Sequence, residues 1–236
     1  MIALIDSDII CYSVGFATEG KDEQEVKDYV DLFIHSVLQE TDSDSYECWL
    51  SDSRENNFRH QLVESYKANR TQPKPTNYKI IKEYILDAHN GLIAHELEAD
   101  DMLAIRHKEM PLDSVICTLD KDLDQVEGKH YRWALYRKRL NEETGLEEPY
   151  VFKPSMLYEV DGESAIKFFW KQMLIGDVSD NIKGINKIGT KTADKIINPL
   201  ETEAECRETV YKLYEKDGRL NDFETNYLLL KIPKEN

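Results

Sequence analysis

Long apolar runs are missing from this 236-residue chain. No stretch approaches the roughly 18 consecutive apolar residues of a membrane-spanning helix. The first apolar stretch, Met1 to Ile5, meets Asp6 and Asp8 too soon to be a signal peptide, so a cytoplasmic protein without membrane attachment is expected. Cysteine is scarce. Cys11, Cys48, Cys117 and Cys206 are widely spaced, form no C-x-x-C pair, and read as reduced, buried thiols. The six histidines contain no H-x-x-x-H pattern, which excludes a protease-type zinc site and leaves oxygen as the ligand for any metal. Net basic charge is also lacking. Thirty Lys and Arg stand against 46 Asp and Glu, a formal charge of −16 that argues against bulk attraction to polyanions. That sum hides local order. Carboxylates gathered around cations reverse the local sign, and Lys67 with Arg70, and Lys183, Lys187, Lys191 and Lys195, form two basic clusters. Repeats and low-complexity tracts are absent.

What is present is an ordinary globular composition, 41% hydrophobic and 32% charged, at a length suited to one compact unit. Met1 to Ile10 reads as a buried strand ending in carboxylates. Glu23 to Gln39 carries apolar residues at helical spacing, and residues 46–52 form a second strand ending in an aspartate. Tyr78 to His89 is a helix stopped by Asn90-Gly91, Leu92 to His95 a strand, Glu98 to Lys108 a helix, and Ser114 to Leu119 a strand reaching Asp120. This alternation predicts an α/β fold, a mainly parallel sheet flanked by helices with right-handed crossovers. Tyr131 to Tyr136 and Tyr150 to Phe152 are expected to form an antiparallel ribbon at the sheet edge. Ser164 to Ile175, Thr190 to Ile197, Glu201 to Glu215 and Asp222 to Leu230 are expected to form a carboxy-terminal helical lobe.

Asp6, Asp52 and Asp120 each end a predicted parallel strand, where open α/β sheets place their ligand crevice. Glu98, Asp100 and Asp101 open a helix directly after another strand, Asp122 follows Asp120 by two residues, and Asp177 and Asp180 share a turn. Taken singly, E-A-D-D is a helix cap and D-K-D a turn. Their convergence is different, because so many carboxylates in one crevice repel one another unless cations neutralise them. Hard oxygen ligands suit Mg²⁺ or Mn²⁺, and two such ions about 4 Å apart can activate water and stabilise a leaving oxygen of a phosphodiester. Lys67 and Arg70, three apart on one expected helical face, would grip the scissile phosphate. Alone, that pair is a solvated helix end. Residues 182–193 have the form of a helix-hairpin-helix, with Gly184 and Gly189 allowing close backbone approach and a helix beginning near Thr190. A plain αα-corner accounts for the pattern equally well; Lys187 and Lys191 favour binding to a duplex backbone.

Assembled in order, I-D-S-D, L-S-D with F-R-H, Y-K-A-N-R, E-A-D-D, T-L-D-K-D-L-D-Q and G-D-V-S-D-N-I-K-G-I-N-K-I-G-T-K-T-A resemble the 5′ nuclease superfamily, from Ile2 to about Ile197. That superfamily comprises flap endonucleases, bacteriophage 5′–3′ exonucleases and the 5′ nuclease domain of bacterial DNA polymerase I. The resemblance implies a PIN-like catalytic domain over residues 1–160 and a helix-hairpin-helix lobe over 161–236. It places Asp6, Asp52, Glu98, Asp100 and Asp120 around a first metal, with Asp101 adjacent, and Asp122, Asp177 and Asp180 at a second. It makes Lys67 and Arg70 the pair that contacts the scissile phosphate, and Lys183, Gly184, Lys187, Gly189, Thr190, Lys191 and Thr192 the DNA contacts. Two Mg²⁺ ions, replaceable by Mn²⁺, and a K⁺ ion on hairpin carbonyls are implied. The substrate would be DNA, or an RNA/DNA hybrid, with a free 5′ end or flap, cut by a monomer to 5′-phosphate and 3′-hydroxyl. A stand-alone compact version fits a bacteriophage origin. Only 28 positions separate Arg70 from Glu98, which leaves a short arch for threading a 5′ end. A catalytically weak junction-binding protein and a PIN-type ribonuclease are the competing readings.

Overall fold

The computed structural model describes residues 1–141 and 144–233. The first strand, β1 (Ile2–Asp6), is central and buried, paired in parallel with β2 (Ser45–Ser51) on one side and β4 (Ser114–Cys117) on the other. With β3 (Leu92–Ala94), β5 (Gly128–Arg132) and β8 (Met156–Val160) they form a sheet in the order β3-β2-β1-β4-β5-β8, parallel except for the antiparallel edge strand β8. Alternation along the strands separates two cores. Ala3 and Ile5, Cys48 and Leu50, and Val115 and Cys117 face α1 (Ser7–Ala17), α2 (Glu23–Thr41) and α4 (Tyr78–Ala88). Leu4, Trp49 and Ile116 face α5 (Ala99–Glu109). The parallel order brings the carboxyl ends of β1, β2 and β4 to one edge.

Several elements differ from the sequence reading. The opening run does not stay extended beyond Asp6, because the Asp6 carboxylate accepts the Ile9 amide and starts α1 at once. A short helix, α3 (Phe58–Leu62), follows β2, and residues 64–69 form turns rather than a helix, with Lys67 at φ 54°. The expected edge ribbon splits in two. Its first half contributes to β5, a parallel member of the central sheet, while β6 (Leu135–Leu140) and β7 (Glu147–Lys153) make a separate two-stranded ribbon. That ribbon leaves the sheet where β5 ends.

Beyond β8 lie α6 (Gly162–Ile175), α7 (Thr190–Ile197), α8 (Glu203–Lys216) and α9 (Leu220–Leu230), packed around Phe169, Trp170, Met173, Tyr214 and Phe223. Between α6 and α7 the chain makes a two-stranded turn, β9 (Gly176–Asp177) against β10 (Ile182–Lys183). Gly184 passes so near the first of these helices that a Cβ would sit 2.1 Å from the Ile175 carbonyl carbon; Gly189 has open space around it. All four cysteines are free and buried, Cys11, Cys48 and Cys117 beneath the sheet and Cys206 in the lobe.

Candidate active site

At the carboxyl edge, hydrogen bonds link the first acidic groups into a chain. Asp6 is buried and its Oδ2 accepts from the Thr118 hydroxyl at 2.8 Å. Thr118 Oγ1 accepts the Asp120 amide at 3.0 Å, and Asp120 Oδ1 accepts the Asp122 amide at 2.8 Å. Asp122 lies in a 3-10 turn, Lys121–Gln125, that Asp120 caps. Opposite, Glu98 caps α5 and Asp100 sits in its first turn. The lobe side supplies Asp180. The Tyr66 hydroxyl lies 2.9 Å from Glu98 Oε2 and 3.0 Å from Asp180 Oδ2. The Lys67 ammonium donates to Glu98 Oε1 and stands 3.7 Å from Asp180 Oδ2, while the Arg70 guanidinium pairs with Asp180 Oδ1. One crevice is thus lined by Arg59, Tyr66, Lys67, Glu98, Asp100, Asp120, Asp122 and Asp180. The turns that replaced the expected helix still deliver both basic side chains to it.

The charges are unevenly met. Burial and the Asp8 charge raise the Asp6 carboxyl to about 7, and burial with the Asp120 charge raises Asp122 to about 6. Burial and the neighbouring Asp6 and Asp120 charges raise Asp100 well above the ordinary carboxylate range; Asp120 also rises, chiefly through burial. Glu98 is buried too, yet Lys67 and Arg59 outweigh that burial and hold it low. One half of the crevice is therefore neutralised by the chain's own cations, and the other half is self-repelling. Among the described residues Asp122 Oδ1 is buried without a hydrogen bond, and the Lys121 ammonium stands 3.3 Å away. Among the described residues no three acidic, histidine or cysteine side chains are drawn together tightly enough to hold an ion as they stand. The donor set itself, hard carboxylate oxygens, fits divalent cations of the Mg²⁺ type.

Three expected ligands stand differently from the rest. Asp101 is fully buried, and both of its oxygens accept from Arg59, at 2.5 and 2.9 Å, so its carboxylate is engaged by a crevice-lining guanidinium. Asp52 accepts the Ser53 amide at 2.6 Å and the Asn56 amide nitrogen at 3.1 Å through Oδ1, and the Glu96 amide at 2.9 Å through Oδ2. It organises its own loop, and these bonds lower its pKa. Asp177 takes the Ser179 amide and hydroxyl and the Asp180 amide on Oδ1, which shapes the turn presenting Asp180, and leaves Oδ2 3.6 Å from Lys121. Arg59, Tyr66 and Asp8 went unassigned in the sequence reading. All three lie inside quoted motifs, Asp8 in I-D-S-D, Arg59 in F-R-H and Tyr66 in Y-K-A-N-R, and that is the available signal.

The second basic cluster lies on the turn into α7. Lys183, Lys187, Gly189, Thr190, Lys191 and Thr192 are exposed and Gly184 is half-buried. Among the described residues none of the three lysines makes an ion pair, whereas the carbonyls of Lys183 and Gly184 are already taken by Arg219, and that of Lys183 also by Asn226.

Residues 1–153 match the family described as 5′-3′ exonuclease, N-terminal resolvase-like domain. The chain belongs to this 5′–3′ exonuclease family. It is 30% identical over 208 residues to the thermostable DNA polymerase I of Thermus caldophilus, covering 83% of this chain and 24% of that protein. It is likewise 30% identical over 189 residues to DNA polymerase I of Streptococcus pneumoniae, covering 75% and 21%. The exonuclease-family chain therefore spans about a quarter of the length of these polymerases. Its fold is shared with the 5′-exonuclease of bacteriophage T5 determined with bound zinc, at TM-score 0.66 and 18% identity, covering 98% of this chain and 89% of that one. A T5 flap endonuclease complex with DNA and metal ions aligns at TM-score 0.64 over the same shares.

Proposed function

We propose that this family member is a structure-dependent 5′ nuclease that hydrolyses DNA phosphodiesters at or near a free 5′ end or flap, leaving 5′-phosphate and 3′-hydroxyl. The observation that carries this reading is the meeting of Glu98, Asp100, Asp120, Asp122 and Asp180 with Lys67 in one crevice, with Asp6 linked to Asp120 through Thr118 and Arg70 paired with Asp180. Asp6, Glu98, Asp100 and Asp120 would hold one Mg²⁺ and Asp122, Asp180 and the adjacent Asp177 a second, with Mn²⁺ able to replace either. Asp52 would act from its loop at a distance, and Asp101 through Arg59. Bound there, the ions supply an activated water and charge stabilisation at the leaving oxygen. Lys67 and Arg70 would turn from Glu98 and Asp180 toward the scissile phosphate, contributing most as that phosphate gains negative charge. Tyr66 would keep Glu98 and Asp180 in register while that exchange occurs.

Residues 1–160 form the cutting unit in this reading and residues 161–236 the duplex-holding lobe of a monomer. Lys183, Lys187 and Lys191, with the backbone of Gly184, Gly189, Thr190 and Thr192, would take duplex phosphates without reading sequence. A K⁺ ion at this turn would have to use carbonyls other than that of Lys183, which already accepts two hydrogen bonds. The test is cleavage of a 5′-labelled DNA flap, and of its RNA counterpart, by wild type and Asp120→Asn with Mg²⁺, Mn²⁺ or EDTA. Metal-dependent DNA products that vanish in the variant are expected. Cutting confined to RNA would favour a PIN-type ribonuclease, and binding without cutting a junction-binding protein.

A further inference from the structure

One wall of the carboxylate crevice comes from residues far from any acidic motif. Leu229 and Leu230, in the last turn of α9, and Ile232 line it, and two side chains hold that stretch by its backbone. Arg59 donates from Nε to the Leu229 carbonyl and from Nη2 to the Lys231 carbonyl, both at 2.9 Å. Gln125 donates from Nε2 to the Leu230 carbonyl at 3.0 Å and accepts the Ile232 amide on Oε1 at 2.8 Å. The primary amide thus grips the chain on both sides of Lys231, as a neighbouring strand would.

The two grips begin on opposite banks of the crevice. Arg59 is bonded to Asp101 and lies 3.4 Å from Glu98, at the start of α5. Gln125 ends the turn that carries Asp122 and follows Asp120. The strap over Leu229–Ile232 therefore spans from the Glu98 bank to the Asp122 bank, and Gln125 holds it on the second bank through two hydrogen bonds. Mg²⁺ demands near-octahedral geometry, and ligands must be held within about 0.5 Å to satisfy it.

We propose that Gln125 is a positioning residue: by clasping the Leu229–Ile232 strap, it fixes the separation of the Asp120–Asp122 turn from Glu98 and so sets the affinity of the crevice for divalent cations. This rests on the metal-site reading given above.

The test is calorimetric titration of Mn²⁺ into wild type and Gln125→Met, which keeps the side-chain length and removes both hydrogen bonds. Loss of an outer support of a metal ligand weakens metal binding about 10- to 100-fold, and a weakening of at least tenfold is expected here. The Mg²⁺ concentration giving half-maximal cleavage should rise by a similar factor, with kcat recovered at saturating Mg²⁺. Gln125→Asn, one methylene shorter and still polar, should fall between the two; it carries the test if the Met variant does not fold. Unchanged Mn²⁺ affinity in a folded variant overturns the proposal, as does lost activity that saturating Mg²⁺ fails to restore. Wild type that takes up no Mn²⁺ removes the underlying metal reading as well.

Discussion

The Arg59 guanidinium pairs with the Asp101 carboxylate through two nitrogens on two oxygens, with Arg59 1% exposed and Asp101 not at all. A buried pair of this kind is costly to break from one side, because the remaining charge is stranded. Asp101→Asn should therefore destabilise the protein by about 3–5 kcal/mol. For a chain of this size that lowers the melting temperature by roughly 6–20 °C, read by thermal denaturation. An unchanged melting temperature combined with lost Mn²⁺ binding would return Asp101 to the metal ligands.

Lys67→Met should lower kcat on the order of 100-fold with little change in KM, since its charge matters most as the phosphate becomes more negative. Single-turnover cleavage of a flap measures this directly. A rise in KM alone would make Lys67 a ground-state binding residue.

At the turn into α7, Lys191→Ala should weaken duplex binding and reduce the slope of log K against log salt by about 1. Fluorescence anisotropy across a salt series gives that slope. If it stays the same, Lys191 makes no phosphate contact.

His107 and His130 are buried near one another, and burial holds both below the ordinary imidazole range, His107 at about 4. A histidine whose folded pKa is depressed binds its proton more readily in the unfolded chain. Its contribution is therefore complete above about 6.5 and is lost as pH falls toward 4. Stability should drop by at most about 1.4 kcal/mol per pH unit for each histidine in that window, as followed by urea denaturation. His107→Gln should flatten the decline; an identical decline would assign it elsewhere.

Gly128 has φ 127°, and a Cβ there would fall 1.9 Å from His107 Nε2. Gly128→Ala should therefore destabilise β5 and its pairing with β8, beyond the usual cost of about 1 kcal/mol for a strained backbone. Hydrogen exchange at Tyr131 should quicken. Protection equal to wild type would show that the imidazole moves aside freely.

Elements whose signal is local were legible in the sequence. The helix over Thr190–Ile197 has the expected bounds, and the expected helix from Glu23 extends two residues further, because caps and apolar spacing are written in the residues themselves. The alternation of strands and helices likewise fixed which carboxylates could share an edge. β5 escaped notice because Lys129 and Arg132 flank its two buried residues, so it resembles the charged ribbon that follows. The orientation of Asp101 and Asp52 was not legible either. Each carboxylate is engaged by a partner some 40 residues away, Arg59 in one case and the Glu96 amide in the other, and no local pattern announces such a partner. The convergence of Lys67 and Arg70 was anticipated, but its means was not, since a left-handed residue between turns leaves no periodic trace.

The buried thiols give this protein an internal clock of opening. Burial raises Cys11 to about 12 and Cys48 to about 11, so an alkylating reagent meets almost no thiolate until the surrounding core comes apart. Cys206 answers for the helical lobe, and the other three answer for the core beneath the sheet. The order in which the four are modified under mild denaturant would therefore tell which half lets go first, without adding a single label.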